Sequence, residues 1–130
     1  MKYLSLEPFV PSGPDFGSAK LLFQELGFSL AWDAGDYAGF ERDGCKFILQ
    51  KFDLRSFAEN LMLSVRVDNI EEFRKSLLEK KLSEKFPVTI GKIIFGVNID
   101  EINALGRLRI NISNNDNLKL SRDIELSDCS

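Results

Sequence analysis

The sequence predicts an α+β fold: two paired strand-helix-strand-strand-strand modules forming a cup-shaped mixed sheet, within one domain spanning residues 1–130. Three observations predict it. The stretch DFGSAKLLFQELGF, Asp15 to Phe28, has the pattern of a short capped helix that stops on a glycine and runs directly into a strand. From Phe28 the apolar period changes to two and holds through three short segments separated by turn residues. The strand-then-helix order then begins again about 53 residues later, at Asp68. A four-stranded sheet with a helix on one face leaves its other face uncovered, so two such modules offer concave faces to a ligand or to a partner chain.

The elements follow in order. YLSLEPFV, residues 3–10, reads as a strand that Pro8 and Pro11 restrict to an edge or a crossing point. Asp15 is a good helix N-cap, and Phe16, Ala19, Leu22, Phe23 and Leu26 recur on one helical face. Gly27 supplies the left-handed position that ends the helix. FSLAWDA, DYAGFER and CKFILQKF are then three strands of a meander, with turns at Gly35-Asp36 and Asp43-Gly44. These elements make module one, about residues 4–52.

Beyond a loop at about 53–59, LMLSVRVD is a strand and NIEEFRKSLLEKKL a helix. Asn69 caps it, Glu72 takes the capping-box position, and Ile70, Phe73, Leu77 and Leu78 form its apolar stripe. Glu71 and Lys75 stand four apart on its solvated side. FPVTI, KIIFGVNI, RLRINIS and NLKLS each read as strands, with SNNDN a turn between the last two. Module two is thus about residues 61–122.

Composition narrows the function. With 44% hydrophobic and 28% charged residues the chain has ordinary globular usage. No run approaches the roughly 18 apolar residues of a membrane span, and MKYLSLEPFVPSGP lacks the apolar centre of a secretory signal. A cytoplasmic protein without a membrane partner is expected. A net charge of -3 argues against nucleic acid, whose backbone is bound by clustered Lys and Arg. The acidity lies in the first half: residues 1–60 hold six basic and nine acidic side chains, residues 61–130 eleven of each. Because histidine is absent, acid-base or metal chemistry would fall to carboxylates, amides or thiols. Cys45 and Cys129 have no ligand spacing and read as free thiols, Cys45 as a small buried hydrophobe with no imidazole to activate it.

The segment Trp32 to Asp43 is the densest acidic-aromatic stretch: Trp32, Tyr37 and Phe40 among Asp33, Asp36, Glu41 and Asp43. Stacking surfaces beside negative charge suit a cationic, aromatic molecule. An ordinary amphipathic hairpin, apolar side in and charged side out, has the same composition. Trp32, the sole tryptophan, is expected to be buried. Phe47 and Leu49 share one face of their strand, and Lys46, Ile48 and Gln50 the other. Phe52, Phe57 and Phe95 are expected in a core or a dimer seam, or lining a cleft. Arg66, Arg107 and Arg109 lie on strands, where outward positions pair with acids and inward ones suit an anion.

PSGPDFGSAKLLFQELGFSLAWDAGDYAGFERDGCKFILQKF followed by LSVRVDNIEEFRKSLLEKKL resembles the glyoxalase/bleomycin-resistance/extradiol-dioxygenase superfamily, with its vicinal-oxygen-chelate fold. Within it the likeness is greatest to bleomycin-resistance proteins. It covers roughly residues 5–82; further on, SNNDNLKL keeps only Asn117 and Leu118 of the family's turn before the final strand. The resemblance places the metal-ligand positions of the enzymatic members at Glu7 or Pro8, Gln50, Met62, and Leu120 or Ser121. Only Glu7 and Gln50 have ligating side chains suited to a divalent ion, so the metal-dependent branches are disfavoured and no cofactor is expected.

The resemblance implies a metal-free binder that sequesters a small molecule in a cleft of a homodimer, its amino-terminal edge strand exchanged around Pro8 and Pro11. Trp32, Asp36, Tyr37, Phe40, Glu41 and Gln50 are the expected contacts, Gln50 from the family alignment. The alternatives are a divalent-metal lyase, dioxygenase or transferase of the same superfamily, and a member acting only in protein association.

Overall fold

The computed structural model describes residues 1–54, 61–86, 88–90, 94–97, 104–113 and 121–128. The chain divides into two units, residues 1–58 and 59–130.

In the first unit β1 (Phe9–Pro11) precedes helix α1 (Phe16–Glu25), and β2 (Ser29–Asp33), β3 (Tyr37–Arg42) and β4 (Cys45–Gln50) follow. The strand order is β1-β4-β3-β2, with β1 parallel to β4 and the remaining pairs antiparallel. Helix α1 forms where its caps allow. The Asp15 carboxylate accepts from the Ser18 N–H at 2.9 Å. At the other end Gly27 takes φ 104°, so that its N–H reaches the Gln24 carbonyl at 3.0 Å and the Phe28 N–H reaches that of Phe23 at 3.1 Å. These two bonds are the Schellman arrangement, which absorbs carbonyls the last turn leaves open. Between β3 and β4, Asp43 and Gly44 both have positive φ, 50° and 83°. Such a two-residue turn matches the strand twist and sets Arg42 opposite Cys45.

The helix packs on one face of this sheet. Ala19, Leu22, Phe23 and Leu26 are buried from the helix, and Val10, Ala38, Phe40, Phe47 and Leu49 from alternate strand positions. Phe40 and Phe47 stack with centroids 5.3 Å apart, and Phe23 and Phe28 approach Phe47 at 4.7 and 5.1 Å.

The second unit runs β5 (Met62–Val67), α2 (Ile70–Glu79), α3 (Leu82–Lys85), β6 (Val88–Ile90), β7 (Ile94–Val97), β8 (Ala104–Ser113) and β9 (Ser121–Asp128). Its strand order is β5-β9-β8, with β6 and β7 both on the far side of β8. Parallel β5 and β9 repeat the relation of β1 to β4. The register slips by one residue between the pairs Ile90↔Ile110 and Ile94↔Arg107, so β6 and β7 are two lengths of an interrupted edge. Asn69 caps α2 through its side-chain oxygen, which accepts from the Glu72 N–H at 3.1 Å.

Several expectations need correction. Of the first predicted strand, residues 3–10, only Phe9 and Val10 fall within the ladder, which runs on to Pro11; Pro8 contributes its carbonyl alone, accepting from the Ile48 N–H at 2.9 Å. The second helix stops at Glu79; Lys81, at φ 52°, turns the chain before α3. Leu78 is exposed, and the stripe that packs is Ile70, Leu77 and, from α3, Leu82. The last strand among the described residues is Ser121–Asp128, and of the predicted NLKLS only Ser121 lies among the described residues. Cys45 is exposed, since it opens β4 directly after the hairpin turn. Phe57, Asn117, Leu118, Leu120 and Cys129 lie outside the described residues.

Candidate functional site

The face of sheet one opposite α1 carries the alternate positions left over from the core. Register places them in rows. Phe9, Ile48, Gly39 and Trp32 run across β1, β4, β3 and β2. On one side of this row stand Pro11, Gln50 and Tyr37, and on the other Lys46, Glu41 and Ser29. Phe9, Trp32 and Tyr37 remain 55%, 43% and 40% exposed, and the Phe9 and Tyr37 rings meet edge to face at 5.9 Å. The result is an apolar aromatic floor with an amide at one side and a carboxylate and an ammonium at the other.

Trp32 reaches this face through an irregularity. Leu30 pairs with Phe40, yet Trp32, two residues on, pairs with the next residue back, Gly39, so Ala31 is the extra residue of a β-bulge. The indole lies over Gly39: a Cβ built there would stand 2.5 Å from Cε2 and 2.6 Å from Cδ1, with Nε1 nearer still. The expected burial of Trp32 is therefore replaced by a half-open indole seated on bare backbone.

Of the six predicted contacts, Trp32, Tyr37, Glu41 and Gln50 share the open face. Asp36 lies beside it in the β2–β3 turn, exposed, its carbonyl accepting from the Lys51 N–H at 2.7 Å. Phe40 does not join them. It occupies the opposite set of positions, is 1% exposed and packs between Phe23 and Phe47, so within this unit it is a core residue. Phe9 and Gly39 were not among the expected contacts. Alternation in Phe9-Val10 was available as a signal for Phe9, whereas the pairing that brings it beside Ile48 is long-range. Phe52 is exposed just past β4, Arg66 is exposed on β5, and Phe95, Arg107 and Arg109 lie on β7 and β8.

Asp33 belongs to the helix side, opposite Ala38. Lys20 Nζ donates to its Oδ2 at 2.8 Å and the Gly35 N–H to its Oδ1 at 2.9 Å. Both bonds favour the ionised form and hold this carboxyl below the ordinary 3.8.

The metal-ligand positions that the resemblance implies fall, among the described residues, on Glu7 or Pro8, Gln50, Met62 and Ser121. The Glu7 carboxylate, ahead of β1, accepts from the Ser5 hydroxyl at 2.9 Å, and Gln50 offers an amide. Among the described residues no three of Cys, Asp or Glu come together as a metal site requires. One carboxylate and one amide do not fit a catalytic divalent ion. No helix among the described residues is long and apolar enough to cross a membrane.

No family model and no curated protein matches the chain. Solved structures do. The bleomycin-binding protein of bleomycin-producing Streptomyces verticillus, solved with copper(II)-bleomycin, is similar at TM-score 0.70 and 10% identity, over 100% of this chain and 99% of that one. The bleomycin resistance determinant encoded on transposon Tn5 is similar at 0.67 and 16%, over 97% and 98%. A Bacillus anthracis protein assigned to the glyoxalase family is similar at 0.58 and 12%, over 100% and 99%. At these identities the likeness is one of fold.

Proposed function

We propose that this chain, which has the fold of the bleomycin-binding and glyoxalase-family proteins, is a reversible binder of a small, aromatic, cationic molecule, working without a covalent step and without a metal. The observation that supports it is the open face of sheet one: three exposed aromatic side chains on one side of a sheet whose other side is packed shut. Exposed rings gathered on one face offer stacking surfaces to a ligand. Glu41 and Asp36, in the acidic half of the chain, raise the local concentration of cations, and the Gln50 amide orients polar groups. Trp32, Tyr37, Glu41, Gln50 and Phe9 are the proposed contacts, with Asp36 at the margin.

The reading includes a homodimer. The segment before Phe9 carries no regular structure, and Met1, Tyr3, Leu4 and Leu6 are almost wholly exposed. An apolar arm of this kind is covered in the proposed assembly by a second copy of the chain, exchanged about Pro8 and Pro11. The cup completed by the second unit is part of the same proposal.

Thermal unfolding with and without metal-free bleomycin tests the binding. At about 100 times its dissociation constant a ligand of the folded state adds about 2.7 kcal/mol, an upward shift of several degrees. Trp32→Ala is expected to remove most of that shift. Light scattering should give twice the chain mass, and a chain lacking the arm the single mass. A dimer that responds to no aromatic cation would instead mark the sheet surface as one for protein association.

A further inference from the structure

We infer that Gly39 is the specificity-determining residue of this face, because its missing side chain seats the Trp32 indole flat on β3 as a fixed platform that selects ligands with a planar ring. The inference rests on the binding reading above and deepens it.

A glycine inside a strand weakens that strand and calls for a local reason. Backbone freedom is not the reason here: Gly13, Gly27, Gly35 and Gly44 have positive φ, and Gly39 does not. Space is the reason. The pyrrole edge of the indole occupies the volume a Cβ would take, with Cε2 and Cδ1 at 2.5 and 2.6 Å from that point. Any other residue at 39 forces the indole up or aside.

The bulge points to the same feature independently. In a regular ladder continuing from Leu30↔Phe40, Trp32 would stand opposite Ala38 on the helix side. With Ala31 as the extra residue it stands opposite Gly39 on the open side. Bulges re-aim side chains in this way, and they gather beside binding sites. Two departures from regular strand structure thus converge on the one tryptophan of the chain. Covering a bare glycine with an aromatic ring also shields the strand, but the indole keeps 43% of its surface open and continues the row of Ile48 and Phe9. A flat ring laid on it gains stacking area that a flexible aliphatic cation cannot match. Glu41, two residues along β3, serves either kind of cation, so charge alone does not discriminate between them.

The test titrates metal-free bleomycin, the planar cation proflavine and the aliphatic cation spermine into the full chain by calorimetry, for wild type, Gly39→Ala and Trp32→Leu. Wild type should bind proflavine at least tenfold more tightly than spermine. Gly39→Ala should lose at least tenfold in proflavine affinity and keep its spermine affinity; Trp32→Leu, at an exposed position that leaves the core intact, should do the same and carries the test if Gly39→Ala folds poorly. Proflavine bound equally by wild type and both variants overturns the platform while the binding reading stands. Spermine bound as tightly as proflavine by wild type also overturns it. Binding of none of the three by wild type removes both. Gly39-dependent binding of proflavine without bleomycin upholds the platform and removes bleomycin as the ligand.

Discussion

The two faces of sheet one use the same kind of residue for different ends. On the helix face Phe40 and Phe47 are 1% and 4% exposed and lie within a cluster of rings that includes Phe23 and Phe28. On the open face Phe9, Trp32 and Tyr37 stand on β1, β2 and β3 of the same sheet, and each keeps two fifths or more of its surface in solvent. An aromatic residue in a strand is therefore not evidence of a site. Register decides whether a ring is held by a helix or left available, and Tyr37 and Phe40, three apart in one strand, fall on opposite sides of that division.

Truncating one ring on each face gives the largest expected difference. Phe40→Ala opens a cavity among close-packed rings and should cost about 3–5 kcal/mol. Tyr37→Ala removes a half-exposed ring with one aromatic neighbour and should cost no more than about 1 kcal/mol, in the range of surface substitutions with small packing losses, while weakening binding of a planar cation. Urea unfolding checks both. Similar costs at the two positions would mean that the open face is covered, by a second chain or otherwise, as fully as the helix face.

A smaller effect follows from loosening the cover itself. Asp15→Ala removes the side-chain acceptor for the Ser18 N–H and should cost about 1 kcal/mol, with Asp15→Asn recovering most of it. Asn69→Ala should behave likewise in the second unit, whose helix uses the same device with Glu72. Amide exchange should then quicken along α1 in the Asp15 variant and along α2 in the Asn69 variant. Quickening of both helices in either variant would show that the two units unfold together rather than separately.

How much of this was legible in the sequence differs by element. Both caps, the terminating Gly27 and the Asp43-Gly44 hairpin could be read directly, because each depends on a few adjacent residues with a narrow conformational range. The faces of β4 were legible for the same reason: CKFILQ alternates cleanly, with Phe47 and Leu49 in and Lys46, Ile48 and Gln50 out. Trp32 and Phe40 were not. The bulge at Ala31 shifts the face of Trp32 relative to Leu30, whereas Phe40 alternates regularly along β3 and is masked by composition alone, so a segment that looks uniformly acidic and aromatic is divided between two faces. Phe9 joins the site through a parallel pairing of strands about 40 residues apart, which local pattern does not encode. SRDIELSD alternates as a strand should, yet NLKLS beside the SNNDN turn draws the eye first, and the strand at Ser121–Asp128 is missed.

The smallest effect concerns a charge pair on the closed side. Lys20, on α1, reaches across to Asp33, at the end of β2, and its ammonium is the larger of two causes that lower the Asp33 pKa, the Gly35 N–H being the other. A carboxyl whose pKa is lower folded than unfolded contributes stability that is fully present above the ordinary value of 3.8, and that contribution is lost as pH falls through the lowered one. Lys20→Met should therefore raise the Asp33 pKa toward 3.8 and flatten the acid limb of the stability profile in that window alone, leaving neutral pH nearly unchanged because both partners are partly solvated and screened. Carboxyl-carbon NMR titration at low salt reads the shift residue by residue. An Asp33 midpoint that does not move in Lys20→Met would place the cause in the Gly35 turn, and the helix would then be held to this sheet by its apolar face rather than by charge.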